Sequence, residues 1–131
     1  MQFVPEYILK EINRIFKPKD VNEVIESLKN TMIPPPLRDG DIYDRVWLAI
    51  IYGSKGDIKE FRRYLAIAQI DYRDVLQSSG LIIENWGDIL IKNGFKYYEE
   101  AYNNEKDKRK KQQMGYIFEK RKKGLSKWIL N

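Results

Sequence analysis

Cysteine and histidine are both missing from this chain of 131 residues. Without cysteine there is no disulfide and no thiolate metal site, and the fold needs no oxidising compartment. Without histidine the commonest general base and the commonest transition-metal ligand are gone. Zinc sites and Ser-His or Cys-His nucleophile pairs are therefore excluded. Long apolar runs are missing too, since none nears the roughly 20 residues needed to span a bilayer. The opening MQFVPEYILKEINRIF has no basic region before its apolar residues, and it carries Pro5, Glu6 and Glu11 where a signal peptide is uncharged. It reads as mature protein, and the expected location is cytoplasmic.

What remains is a chain with 43% hydrophobic residues, close to the globular average and long enough for one modest core. The net charge of +5 is unevenly placed. Residues 101–131 hold ten Lys/Arg against three acids, a balance of +7, so residues 1–100 carry −2. The chain therefore divides into a single helical domain over 1–100 and a basic helical extension over 101–131 that packs on the body or on a partner.

Apolar spacing is helical almost throughout. Tyr7, Ile8, Ile12, Ile15 and Phe16 share a face, with Pro5 suited to a first turn and a stop before Lys17-Pro18. Val21, Val24, Ile25 and Leu28 form a second face. Pro34-Pro35-Pro36 interrupts the pattern with an extended segment, read as a stiff linker or a strap for an aromatic groove. The stretch from Asp41 to Leu76 is the densest. Ile42, Val46, Trp47, Ala49, Ile50 and Ile51 fill one helix, and Gly53-Ser54-Lys55-Gly56 makes a turn. Ile58, Phe61, Leu65 and Ala68 fill the next helix; Tyr72, Val75 and Leu76 belong to a third. Leu81-Ile82-Ile83 reads as a buried connector before a short helix with Trp86, Ile89 and Leu90. Phe95, Tyr98, Ala101 and Tyr102 begin a last face, and Leu125, Trp128, Ile129 and Leu130 end the chain. The expected fold is all-α, a compact bundle of short capped helices with a long basic C-terminal helix or helical hairpin.

Five D/N-x-x-D/E pairs precede these apolar runs: Asp20/Glu23, Asp41/Asp44, Asp57/Glu60, Asp71/Asp74 and Asn85/Asp88. Such pairs resemble carboxylate active sites or Mg²⁺ sites. Their position fits helix N-caps, each satisfying orphan N–H groups at about 1 kcal/mol. No catalytic constellation results, and neither enzymatic activity nor a cofactor or metal is expected.

The central stretch is similar to a pattern found in a family of small bacterial proteins. There a helix of the type R-V-x-L-A-I is followed by S-x-G-D, an amphipathic helix, and a D-Y-R-D-V-L element. Here these are Arg45-Val46-Trp47-Leu48-Ala49-Ile50, Ser54-Lys55-Gly56-Asp57 and Asp71-Tyr72-Arg73-Asp74-Val75-Leu76, with Trp86 near the next cap. The resemblance spans about residues 6–92 and implies a helical scaffold and no particular activity. The Pro34–Pro36 segment and the basic extension depart from it.

Nine Tyr, three Trp and five Phe in a small chain without a catalytic set suit protein recognition, where Tyr, Trp and Arg are the usual anchors. The expected function is a non-catalytic protein-binding protein: an immunity or antitoxin-type inhibitor of a toxin, or an adaptor. The alternative is nucleic-acid binding through the extension, where basic blocks are interleaved with aromatics. The candidate contact residues on the body are Arg62, Arg63, Tyr72 and Arg73. Those in the extension are Tyr102, Lys108, Arg109, Lys110, Lys111, Tyr116, Lys120, Arg121, Lys122, Lys123 and Trp128. The apolar chain end could also exchange between two copies to form a homodimer.

Overall fold

A computed structural model describes residues 3–31, 40–83, 85–106 and 111. Within them the chain forms seven helices and no strand: α1 (Glu6–Ile15), α2 (Pro18–Asn30), α3 (Gly40–Ser54), α4 (Ile58–Ile70), α5 (Tyr72–Ser79), α6 (Trp86–Lys92) and α7 (Lys96–Asn104). The all-α expectation holds there. The Pro34–Pro36 segment and the long basic helix or hairpin lie outside the described residues.

Helix α3 is the axis of the bundle. Val46 to Ile51 are six consecutive residues, and none is more than 3% exposed. A helix that is apolar all round must be enclosed, and α3 is held by α4 and α5, which also pack on each other. Leu48, which the apolar stripe did not include, is as buried as its neighbours. Each Ile or Leu removed from water here contributes roughly 1.5–3 kcal/mol. Helix α1 packs on α2 and on α7, α6 packs on α7, and α2 reaches α4. Edge-to-face ring pairs fasten these groups together. Phe16 meets Phe61 and Tyr52 meets Phe95, both at 5.8 Å between centroids.

The turns carry the tightest constraints. Helix α3 runs through Ser54, so the turn to α4 is only Lys55-Gly56, both with positive φ (53° and 81°). A Cβ on Gly56 would lie 2.7 Å from the Ile15 carbonyl oxygen, so this turn must be bare to rest on the end of α1. Gly53 lies inside α3 for a similar reason: a Cβ there would come within 2.9 Å of the Tyr64 ring. Tyr64 is thus a core residue of α4, beside Phe61 and Ala68.

The caps follow the acidic pairs only in part. Asp57 caps α4, its Oδ1 accepting from the N–H groups of Lys59 (2.8 Å) and Glu60 (3.3 Å). Asp71 caps α5 by accepting from the Arg73 N–H at 3.0 Å. The other three pairs differ. Helix α2 already starts at Pro18, whose locked φ suits a first turn, so Asp20 lies inside the helix. Helix α3 starts at Gly40, and Asp44 accepts from the Tyr7 hydroxyl at 2.9 Å. Asn85 precedes α6 without capping it through its side chain, and Asp88 is buried with the Lys92 ammonium 3.5 Å away. The connector also differs from expectation. Leu81 is buried, but Ile82 and Ile83 are nearly half exposed. Backbone polarity explains this: the Leu81 and Ile83 carbonyls both turn to Arg45, so the two isoleucines face outward.

Candidate functional site

The four body candidates are exposed or half-exposed, and each arginine is already engaged. Arg62 holds Glu23 of α2 in a two-pronged bond, Nε and Nη2 donating to the two carboxylate oxygens at 2.6 and 2.7 Å. This pair fastens α4 to α2. It holds Glu23 below the ordinary 4.5 of a glutamate, through the hydrogen bonds first and the charge second. Arg63 donates to Glu60 one turn back at 2.7 Å and lies over the Tyr64 ring at 4.9 Å. Arg73 folds back on its own cap, donating from Nε and Nη2 to Asp71 at 3.1 and 3.0 Å. The D-Y-R-D element is therefore closed on itself, and Asp71 is held below its ordinary 3.8 by the Arg73 guanidinium and backbone N–H. Tyr72 is half-buried against the core.

Tyr102 faces inward and is 4% exposed, so it is a core residue of α7 and not a surface anchor. The i, i+4 spacing from Tyr98 puts both rings on the buried face of that helix. The Lys111 ammonium lies 5.0 Å over the Tyr102 ring. Lys108, Arg109, Lys110, Tyr116, Lys120, Arg121, Lys122, Lys123 and Trp128 lie outside the described residues, as does the apolar end expected to exchange between copies.

Two arrangements were not foreseen from the sequence. The first is buried. Glu11 of α1 is fully enclosed, with Oε1 accepting from Arg14 Nε at 2.8 Å and Oε2 accepting from the Tyr98 N–H at 3.3 Å. Tyr98 is in the first turn of α7, so a carboxylate on α1 satisfies a helix N-terminus 87 residues away. The Tyr98 ring sits among Tyr7 and Trp86, at 6.0 and 5.6 Å, and burial pushes its hydroxyl well above the ordinary 10.0. Arg45 closes the same region: it donates to Leu81 O at 3.0 and 2.6 Å and stacks on Trp86 at 5.4 Å.

The second arrangement is exposed. Three open clefts meet at Lys55, where the end of α1 and the starts of α2 and α4 converge. A cleft of about 390 Å³ is walled by Lys17, Lys19, Lys55 and Lys59 with Asp20 and Asp57. A second, of about 590 Å³, leads from Lys55 past Tyr52, Tyr64, Ser78 and Ser79. A third, of about 510 Å³, runs toward Arg14, Asn93 and Phe95. Among the described residues no group of three or more acids is placed to hold a metal ion.

No family model, curated protein or solved structure matches the chain. The R-V-x-L-A-I and D-Y-R-D-V-L elements thus stand on their residues alone, and in this fold those residues build helices. Among the described residues no helix is long and apolar enough to cross a membrane.

The lysine cluster left a faint trace in the sequence. Lys17 and Lys19 flank the Pro18 helix start, and Lys55 and Lys59 flank the Gly56-Asp57 turn. Each pair looks like ordinary surface charge until the fold sets the two side by side.

Proposed function

We propose that this is a non-catalytic binding protein whose partner is another protein, in the manner of an immunity or antitoxin-type inhibitor or of an adaptor. The reading is carried by where the carboxylates go. Asp57 and Asp71 hold helix N-termini, and Glu11 holds a third from another helix. Asp44 accepts from Tyr7, while Glu23 and Glu60 accept from arginines. These six carboxylates are occupied by structural donors. The clefts hold ammonium and hydroxyl groups beside Asp20, Asp57 and Glu60, of which Asp57 is spent on a helix cap and Glu60 on Arg63, a lining that suits recognition more than bond-making.

The test is affinity capture of the full chain from its native cells, with and without nuclease. The expected result is one protein in stoichiometric amount that survives the nuclease. A partner that disappears with nuclease, or none at all, overturns the reading.

The second reading, nucleic-acid binding through the basic extension, is favoured by the +7 balance of residues 101–131. It predicts an affinity for duplex DNA or RNA that falls steeply with salt and is lost when residues 103–131 are removed.

A further inference from the structure

The cleft at Lys55 assigns a binding site that the helical scaffold does not need. Lys17 and Lys19 come from the start of α2, Lys55 from the α3–α4 turn and Lys59 from the first turn of α4. All four are exposed, and among the described residues none is within ion-pairing distance of a carboxylate. Residues 1–100 carry eight lysines and a net charge of −2, yet half of those lysines wall this one cleft. The four ammonium groups outnumber the two carboxylates of the cleft, and this surplus of like charge is a repulsive cost. The two acids present are partly committed: Asp57 holds the N–H groups of Lys59 and Glu60, and Asp20 lies in the field of Arg62. Lys55 adds a second cost. Its φ of 53° is a left-handed conformation, uncommon for a side-chain-bearing residue other than Asn or Asp.

We infer that this cleft binds an acidic segment of a partner protein, its Asp or Glu side chains on the four ammonium groups. This rests on the reading of the chain as a protein-binding protein and deepens it. The lining decides the class of anion. Single-stranded nucleic acid is held by aromatic platforms, and the lysine cleft has only Ile58 as an apolar wall. A duplex needs a broad basic stripe along its backbone. Here the basic cleft is compact and opens at Lys55 into a furrow with the hydroxyls of Tyr52, Tyr64, Ser78 and Ser79, whose two carboxylates, Asp57 and Glu60, already accept from the α4 N-terminus and from Arg63. An extended peptide fits that sequence of groups, its acids on the lysines and its backbone beside the hydroxyls.

The experiment uses the full chain and a fluorescent glutamate-rich peptide, with duplex DNA of equal charge as competitor. Zero-length carbodiimide coupling followed by peptide mapping locates the peptide's carboxylates on the wild-type protein. The expected adducts are at Lys17, Lys19, Lys55 and Lys59. Replacing these four by Gln together is expected to weaken peptide binding by about tenfold or more. Replacing Lys10, Lys29, Lys96 and Lys106 by Gln removes the same charge and is expected to change binding by about twofold at most. Circular dichroism verifies that both variants are folded, and the adduct map needs no variant. Equal loss in the two variants, adducts confined to the extension, or stronger competition by DNA than by unlabelled peptide overturns the assignment. If the captured protein of the preceding section still binds the four-lysine variant, the cleft assignment falls while the protein-binding reading stands. If no protein is captured but the adducts map to the cleft, the protein-binding reading falls and the anion site stands.

Discussion

Glu11 and Glu23 each hold an arginine, at 2.8 and 2.6 Å, in opposite settings. The exposed pair has the shorter bonds and the better fork geometry, yet it is the weaker device. Around Glu23 and Arg62, water and salt screen the charges and two long side chains lose rotamer freedom. Glu11 is fully buried, so the Tyr98 N–H it satisfies has no solvent to turn to if the carboxylate is lost. It also does two jobs at once, holding Arg14 and the Tyr98 N–H, and so joins the first described helix to the last. Bond length does not rank these interactions; burial does.

The sharpest way to break that comparison is Glu11→Ala. It strands the Tyr98 N–H inside the α1–α7 contact and leaves the partly exposed Arg14 without its carboxylate, with an expected loss of about 2–4 kcal/mol in urea unfolding. Amide exchange at Tyr98 should accelerate well beyond the global change, and Glu11→Gln should lose less because it keeps an acceptor. A loss no larger than that of Glu23→Ala would contradict the ranking.

Gly56→Ala comes next. Both the positive φ and the approach to the Ile15 carbonyl oppose a Cβ there. The expected cost is about 2 kcal/mol, read as a lower denaturation midpoint with an unchanged slope. Gly80, also at positive φ but with nothing within 4 Å, is the control and should tolerate alanine better.

A third measurement probes the buried side by pH. Tyr98 is raised in the folded protein, so its contribution is complete below the unfolded value of 10.0. It is lost as the pH rises beyond that value, because only the unfolded chain then releases the proton. Stability should fall by up to about 1.4 kcal/mol per pH unit in that window, and Tyr98→Phe should remove this share of the slope. An unchanged alkaline slope in the variant would exclude Tyr98 as its source.

Smallest is Arg62→Ala. The shift in melting temperature should be slight at neutral pH and vanish in molar salt. Glu23 is lowered in the folded state, so the pair contributes above about pH 4.5 and is lost as the pH falls through the lower folded value. Wild type and variant should therefore converge in acid.

These contrasts mark how far the sequence could be read. Val46, Trp47, Ala49, Ile50 and Ile51, Val24 and Leu28, and Val75 and Leu76 are buried where apolar spacing placed them. Asp57 and Asp71 cap as their position before an apolar run implies, because an N-cap and its N–H partner are neighbours in the chain. Asp20, Asp44 and Asn85 carry the same local signature and do otherwise. Pro18 sets one helix start earlier, and Tyr7 takes Asp44 from 37 residues away. In sequence Tyr102 belongs both to the apolar face of Tyr98 and to the contact candidates, and the packing of α7 decides for the apolar face. Of the contact candidates within the described residues, Arg62, Arg63 and Arg73 are exposed as expected but hold internal carboxylates.

By itself the sequence determined the helical class, the breaks between helices and the two caps whose partners are adjacent. Those rest on backbone hydrogen bonding and apolar periodicity, which act over a few residues. Only the tertiary structure decided which charge meets which. Glu11 finds the start of α7, Glu23 finds Arg62, and Lys17 and Lys19 come to stand beside Lys55 and Lys59. A charge acts through space, and its neighbours exist only once the helices are packed.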